Sequence, residues 1–159
     1  MKQRVYIETT VVSYYTGRAT RDVIIALRQE ETRLFWPKLL DEYDAYISGL
    51  VYDEASEGDQ EAAKKRLKAI EPFPILQVNE AATVLADILV SQNAVPAKYP
   101  EDAMHIAIAA VNGIQVLITW NFAHINNPFK RMMIRQVVEN AGYRCPEICS
   151  PDELMEVEE

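Results

Sequence analysis

Residues Val5 to Tyr15 read VYIETTVVSYY, and the fold turns on how this stretch is understood. Val5, Tyr6 and Ile7 are apolar and β-favouring, as in a buried strand. Glu8 follows at once, then two threonines, and then the apolar character resumes. A carboxylate in that place is costly to bury without a partner. In open α/β sheets, ligands bind beyond the carboxyl ends of the strands, which is where Glu8 falls.

Three further β-like runs lie downstream: AYIS (Ala45 to Ser48), VLIT (Val116 to Thr119) and a weaker one around Glu147 to Cys149. Between them the patterning is helical. Asp22 to Leu34 carries Val23, Leu27 and Leu34, and Pro37 implies a break into two helices near Trp36. Gly49 to Glu57 is short, and Gln60 to Ile70 is highly charged. Glu80 to Gln92 follows Asn79 as N-cap, and Glu101 to Asn112 lies between Pro100 and Gly113. Phe129 to Asn140 follows Pro128 and ends near Gly142. The closing SPDELMEV opens as a capping box, with Ser150 as N-cap and Glu153 at N3. Strands separated by helices, with no tight hairpin signals, predict a helix-rich α/β domain around a parallel sheet. The length of 159 residues suits one domain spanning 1–159.

With 49% hydrophobic and 25% charged residues, the composition is that of an ordinary folded protein. No apolar run approaches membrane-spanning length and the N-terminus lacks a signal-peptide core, so a cytoplasmic location with no membrane partner is expected. Cys145 and Cys149 are expected as ordinary thiols. The formal net charge of −8 argues against nucleic-acid binding by bulk electrostatics. It leaves room for an enzyme whose acids bind a metal.

Placement of the acids is therefore informative. Glu8 is the first residue after RVYI, and Asn121 comes two residues after VLIT. Glu54 continues a helical face with Leu50 and Val51 beyond AYIS. Asp102 stands in the first turn of an Ala-rich helix, on the side of His105 and Ile106. In adjacent parallel strands, Glu8, Glu54, Asp102 and Asn121 would meet at one edge. Clustered carboxylates repel one another unless a cation compensates, and oxygen-rich sites suit Mg²⁺ or Mn²⁺. Such an ion can acidify a water and neutralise a phosphate oxygen. Taken singly, the same residues have structural readings. Asp102 suits any helix start, Asn121 a turn, Glu54 a solvated face and His105 a packed core.

The order VYIETT, ISGLVYDEASEGD, PEDAMHIAIAAVNGIQVLITWNFAHI resembles the PIN-domain nucleases, which include the VapC-type ribonuclease toxins of toxin–antitoxin pairs. The resemblance runs from Val5 to about His124, and PEICSPDEL is similar to the C-terminal segment of one bacterial branch. It implies a three-layer α/β/α sandwich and a ribonuclease that hydrolyses RNA with Mg²⁺ or Mn²⁺, leaving 5′-phosphate and 3′-hydroxyl ends. The family's acids fall on Glu8, Glu54 and Asp102, with Asn121 at the fourth position. By this resemblance Glu8 and Asp102 hold the metal, Glu54 acts through water or as general base, and Thr9 and Asn121 orient the water or the scissile phosphate. Two positions depart from the pattern. Glu8 replaces a shorter Asp and moves its carboxylate outward by roughly 1.5 Å. Asn121 is neutral, so it orients a ligand without adding charge.

The alternative is a catalytically weak or inactive binding or regulatory protein on the same scaffold. A receiver-type phosphoacceptor wants adjacent acids after the first strand and a lysine after a late one, and neither is present. An RNA substrate needs local positive surface, for which Lys130, Arg131, Arg135, Arg18 and Arg21 are candidates, each equally readable as a solvated face. The apolar and aromatic residues Leu34, Phe35, Trp36, Leu39 and Leu40 divide between core and an interface, for a homodimer or for a protein antitoxin.

Overall fold

In the computed structural model, which describes residues 1–155, the VYI stretch is the centre of the sheet. Strand β1 (Gln3–Ile7) leads through Glu8 into α1 (Thr9–Thr16), with Val5, Tyr6 and Ile7 fully buried. Helix α2 (Val23–Glu42) returns to β2 (Tyr43–Ser48), which passes directly into α3 (Gly49–Ala55). Then come α4 (Gln60–Ile70), β3 (Ile75–Leu76), α5 (Glu80–Ser91) and α6 (Pro100–Val111). Strand β4 (Val116–Ile118), α7 (Pro128–Asn140), β5 (Glu147–Cys149) and a 3₁₀ turn (Pro151–Met155) complete the described chain. Glu156 and Val157, the end of the closing helical segment, lie outside the described residues.

The strands form one parallel sheet in the order β3-β2-β1-β4-β5. The chain winds from β1 toward β3 and then crosses back to β4 and β5. The helical crossovers that parallel strands require cover the sheet with helices, giving an α/β/α sandwich. Helix α5 packs on α6 and α7, while α1 packs on α2, α3 and α4. Strand order reverses between β1 and β4, the position where open α/β sheets form a ligand crevice.

Several elements follow from local chemistry. Asn79 caps α5 by accepting the Ala82 N–H at 2.9 Å, and Asp59 caps α4 through Ala62. Gly113 ends the α6 region at φ +65°, a conformation that disfavours a side chain. The Ser150 capping box is present, since its backbone N–H donates to Glu153 Oε1 at 3.0 Å, but it opens a short 3₁₀ turn. Both cysteines are free and buried, and burial pushes the Cys145 thiol up to about 11 and the Cys149 thiol up to about 12.

Two expectations are corrected in α2. The helix runs unbroken through Pro37 rather than splitting at Trp36. An interior proline costs roughly 3 kcal/mol. Buried Phe35, Trp36 and Leu39 oppose that cost, with Trp36 stacked on Tyr15 at 3.9 Å between centroids. The buried face is also different. Gln29, Thr32, Phe35, Trp36 and Leu39 point inward, whereas Val23, Leu27 and Leu34 are exposed. Gln29 and Thr32 can be buried because their polar ends are bonded. Gln29 Nε2 donates to Arg18 O, and Thr32 Oγ1 accepts from the Trp120 indole at 2.8 Å. The short strand β3 is a further element that the apolar patterning does not announce.

Candidate active site

Glu8 is 4% exposed and caps α1, accepting the Thr10 N–H at 3.1 Å. The hydroxyls of Thr10 and Thr119 both donate to its Oε1, the latter at 2.6 Å. Parallel register explains this meeting, since Ile7 pairs with Ile118 and the next residue on each strand follows. Each hydroxyl also accepts a backbone N–H, Thr10 from Trp120 at 3.0 Å and Thr119 from Asn121 at 2.9 Å. The cage therefore ties the β1 and β4 ends together around a carboxylate that receives three hydrogen bonds.

Glu54 is placed by α3, whose N-cap Ser48 accepts the Val51 N–H at 3.2 Å. Its Oε1 accepts from Thr9 Oγ1 at 2.6 Å and lies 2.7 Å from His105 Nε2. Behind this pair, His105 Nδ1 is 2.6 Å from the Tyr6 hydroxyl, itself 2.8 Å from Ser48 Oγ. With His105 neutral and protonated at Nε2, the chain Val51 N–H, Ser48, Tyr6, His105, Glu54 gives each donor an acceptor. A second proton at Nδ1 would reverse the Tyr6 and Ser48 hydroxyls. Burial pushes Glu54 upward, but bonds from His105 and Thr9 outweigh it and hold the carboxyl below its ordinary value. Burial pushes His105 downward, and the Glu54 bond with the charges of Glu8, Glu54 and Asp102 outweighs that. Burial keeps the Tyr6 hydroxyl protonated.

Asp102 sits in the first turn of α6. It accepts from Asn121 Nδ2 at 3.1 Å on one oxygen, and its other oxygen is 2.9 Å from His124 Nδ1. His124 is in turn fixed by stacking on Tyr99 at 4.4 Å and by its own N–H bond to Asn121 Oδ1. Burial raises the Asp102 carboxyl above its ordinary value despite these bonds.

Glu8, Thr9, Glu54, Asp102 and Asn121, the residues singled out in the sequence, all line one open cleft of about 490 Å³ at the carboxyl ends of the strands. Thr10, Ser13, Tyr14 and Glu57 complete its walls. Among the described residues, no three acidic, histidine or cysteine side chains stand close enough to close around one metal ion. Sequence reasoning missed Thr10, Thr119, Tyr6, Ser48 and His124. The spacing Thr119-x-Asn121 and the doubled threonine after Glu8 are the signals that could have found the first two.

Of the expected basic surface, Lys130 and Arg21 form no salt bridge among the described residues. Arg135 bridges Glu139 and Glu147, Arg131 bonds Asn126 Oδ1 at 2.6 Å, and Arg18 lies 3.9 Å from Asp59. Among the described residues no helix is long and apolar enough to cross a membrane.

No family model matches this sequence, and no curated protein matches it. Among solved structures, the chain is similar to one in the crystal structure of VapBC2 from Rickettsia felis bound to a DNA fragment from their promoter. The TM-score is 0.56 at 15% identity, over 81% of this chain and 92% of that one. At that identity the likeness establishes a shared fold. That shared fold is the three-layer α/β/α architecture expected from the sequence.

Proposed function

We propose that this protein is a metal-dependent endoribonuclease, hydrolysing RNA phosphodiester bonds as the toxin of a toxin–antitoxin pair. The observation that carries the reading is the convergence of Glu8, Glu54 and Asp102, with Asn121, on one cleft at the switch point of a PIN-like sheet. Similarity to a chain of the VapBC2 complex supports the toxin–antitoxin part. The exposed α2 stripe of Val23, Ile24, Leu27 and Leu34 offers a protein surface to an antitoxin or to a second copy in a homodimer.

The donor set fits a hard divalent cation. Glu8 and Asp102 use three and two of the roughly four acceptor positions of a carboxylate. Mg²⁺ is commonly held by one or two carboxylates and several waters, so a closed three-ligand cage is not required. Glu8 and Asp102 would hold the ion, which supplies positive charge to the phosphate and acidifies water. Glu54 stays ionised at neutral pH through His105 and Thr9, leaving Oε2 to orient or deprotonate the attacking water. Asn121 spends Nδ2 on Asp102 and Oδ1 on the His124 N–H, so it holds the Asp102 carboxylate in place.

A second reading has an observation of its own. Glu8 is nearly buried and already receives three hydrogen bonds, which suits a structural cap on a non-hydrolytic scaffold. Incubating the protein with single-stranded RNA and Mn²⁺ or Mg²⁺ separates the two. The nuclease reading expects cleavage to 5′-phosphate ends that is lost in Glu8→Gln and Asp102→Asn. Cleavage that persists in both, or that never occurs, sinks it.

A further inference from the structure

An RNA-cutting site on a chain of net charge −8 needs local features that draw in the strand; on α7, Arg135 is paired with Glu139 and Glu147, and Arg131 bonds the neutral Asn126 amide. Two other clusters adjoin the cleft. At one, Tyr99 is 40% exposed and stacks on His124, the residue that bonds Asp102, while Lys98 Nζ stands 5.8 Å from the Tyr99 ring. At the other, Phe122 is 36% exposed beside Asn121, edge-on to Trp120, with the Arg28 guanidinium 4.8 Å from its ring. Trp120 in turn meets Tyr14 of the cleft wall edge-to-face. Among the described residues neither Lys98 nor Arg28 closes a salt bridge. Glu31, one turn from Arg28, feels its charge without pairing to it.

Partly exposed aromatic rings beside cations that close no salt bridge suit single-stranded nucleic acid, and Arg28, which lies over both the Phe122 and Trp120 rings, keeps its charge beside them. Bases stack on the rings whatever the sequence, and the cations meet the backbone. Stacking also operates in spite of an unfavourable net charge. We propose that Tyr99 and Phe122, with Lys98 and Arg28 as phosphate partners, form two base-stacking subsites for unpaired nucleotides of single-stranded RNA. The inference takes the position of the scissile phosphate from the nuclease reading, but binding at these rings does not depend on hydrolysis.

The test is binding without chemistry. A short, fluorescein-labelled, unstructured oligoribonucleotide is titrated in EDTA and followed by anisotropy. Its counterparts are the same strand with abasic residues at its centre and the same strand annealed to its complement. The wild-type protein is expected to prefer the intact single strand over both. Tyr99→Leu and Phe122→Leu should each weaken that binding by roughly 5-fold or more, the scale of losing one stacked base. Abasic substitution should then cost Tyr99→Leu less than it costs the wild type. Tyr99→Phe keeps the ring and should bind as the wild type does, which separates stacking from misfolding. Arg28→Gln should reduce the salt dependence by about 0.7 in log–log slope, one phosphate's worth on a single strand.

Absence of oligonucleotide binding, equal affinity for intact and abasic strands, or unchanged affinity in both leucine variants would overturn the proposal. Binding with these preferences but no Mn²⁺-dependent cleavage would support the subsites while removing the nuclease reading. Cleavage with indifferent leucine variants would do the reverse.

Discussion

Replacing Thr119 by Val exchanges a hydroxyl for a methyl at a fully buried position and tests whether the Glu8 cage holds the site together. Two bonds disappear, the donation to Glu8 Oε1 at 2.6 Å and the acceptance from the Asn121 N–H at 2.9 Å. A hydrogen bond to a charged group is worth about 1.5–3 kcal/mol, and an orphaned N–H costs about 1–3 kcal/mol. The added methyl returns about 0.8 kcal/mol. The expected net loss is about 2–4 kcal/mol, since the two losses share one local rearrangement and do not simply add. For a chain of this length that is on the order of 4–16 °C in Tm. Urea denaturation followed by tryptophan fluorescence would read it, and Thr119→Ser should recover most of the loss. A destabilisation below about 0.5 kcal/mol, the scale of an ordinary surface change, would refute the claim that this hydroxyl clamps Glu8.

Other outcomes follow from the same geometry. Because burial raises the Asp102 carboxyl, ionising it at neutral pH works against folding, so Asp102→Asn in EDTA should unfold at an equal or higher urea concentration while losing hydrolysis. A lower midpoint would contradict this. The Glu54–His105 pair contributes stability through two opposite shifts. Glu54, held below its ordinary 4.5, loses its contribution as pH falls below that value, and His105, held above 6.5, loses its own as pH rises past that value. The stability difference between wild type and Glu54→Gln should therefore be largest between those two pH values, and a difference independent of pH would exclude the pair as described. Pro37 is exposed within α2, so Pro37→Ala should stabilise by about 1–3 kcal/mol through restored helix propensity, and a destabilised variant would show that the ring is needed for packing.

Much of this architecture could be read from the chain because its strands end on chemically conspicuous residues. Glu8 and Asn121 follow strands, Asp102 opens α6 and Glu54 sits near the end of the short α3 beyond β2, and parallel pairing brings them to one cleft. The positioning residues were harder to see. Tyr6 and Ser48 look like ordinary strand residues, and only the β1–β2 pairing and the position of α6 bring their hydroxyls to His105. His105 does occupy the packed interior its apolar surroundings suggest, yet it also bonds a site carboxylate. Helix α2 misled for a physical reason. In its first turns Val23, Ile24 and Leu27 face outward, while the inward face includes Gln29 and Thr32, which tertiary hydrogen bonds make tolerable. Pro37 is likewise overridden by the packing of Phe35, Trp36 and Leu39 around it.

Whether the acidic cleft holds a cation can be measured directly by calorimetric titration of Mn²⁺ into the wild-type protein and into Glu8→Gln and Asp102→Asn. The account predicts a saturable site in the wild type that is weakened at least tenfold, about 1.4 kcal/mol, in each variant. No Mn²⁺ binding to the wild type, or binding untouched by both substitutions, would contradict it and leave Glu8 as the structural cap of α1.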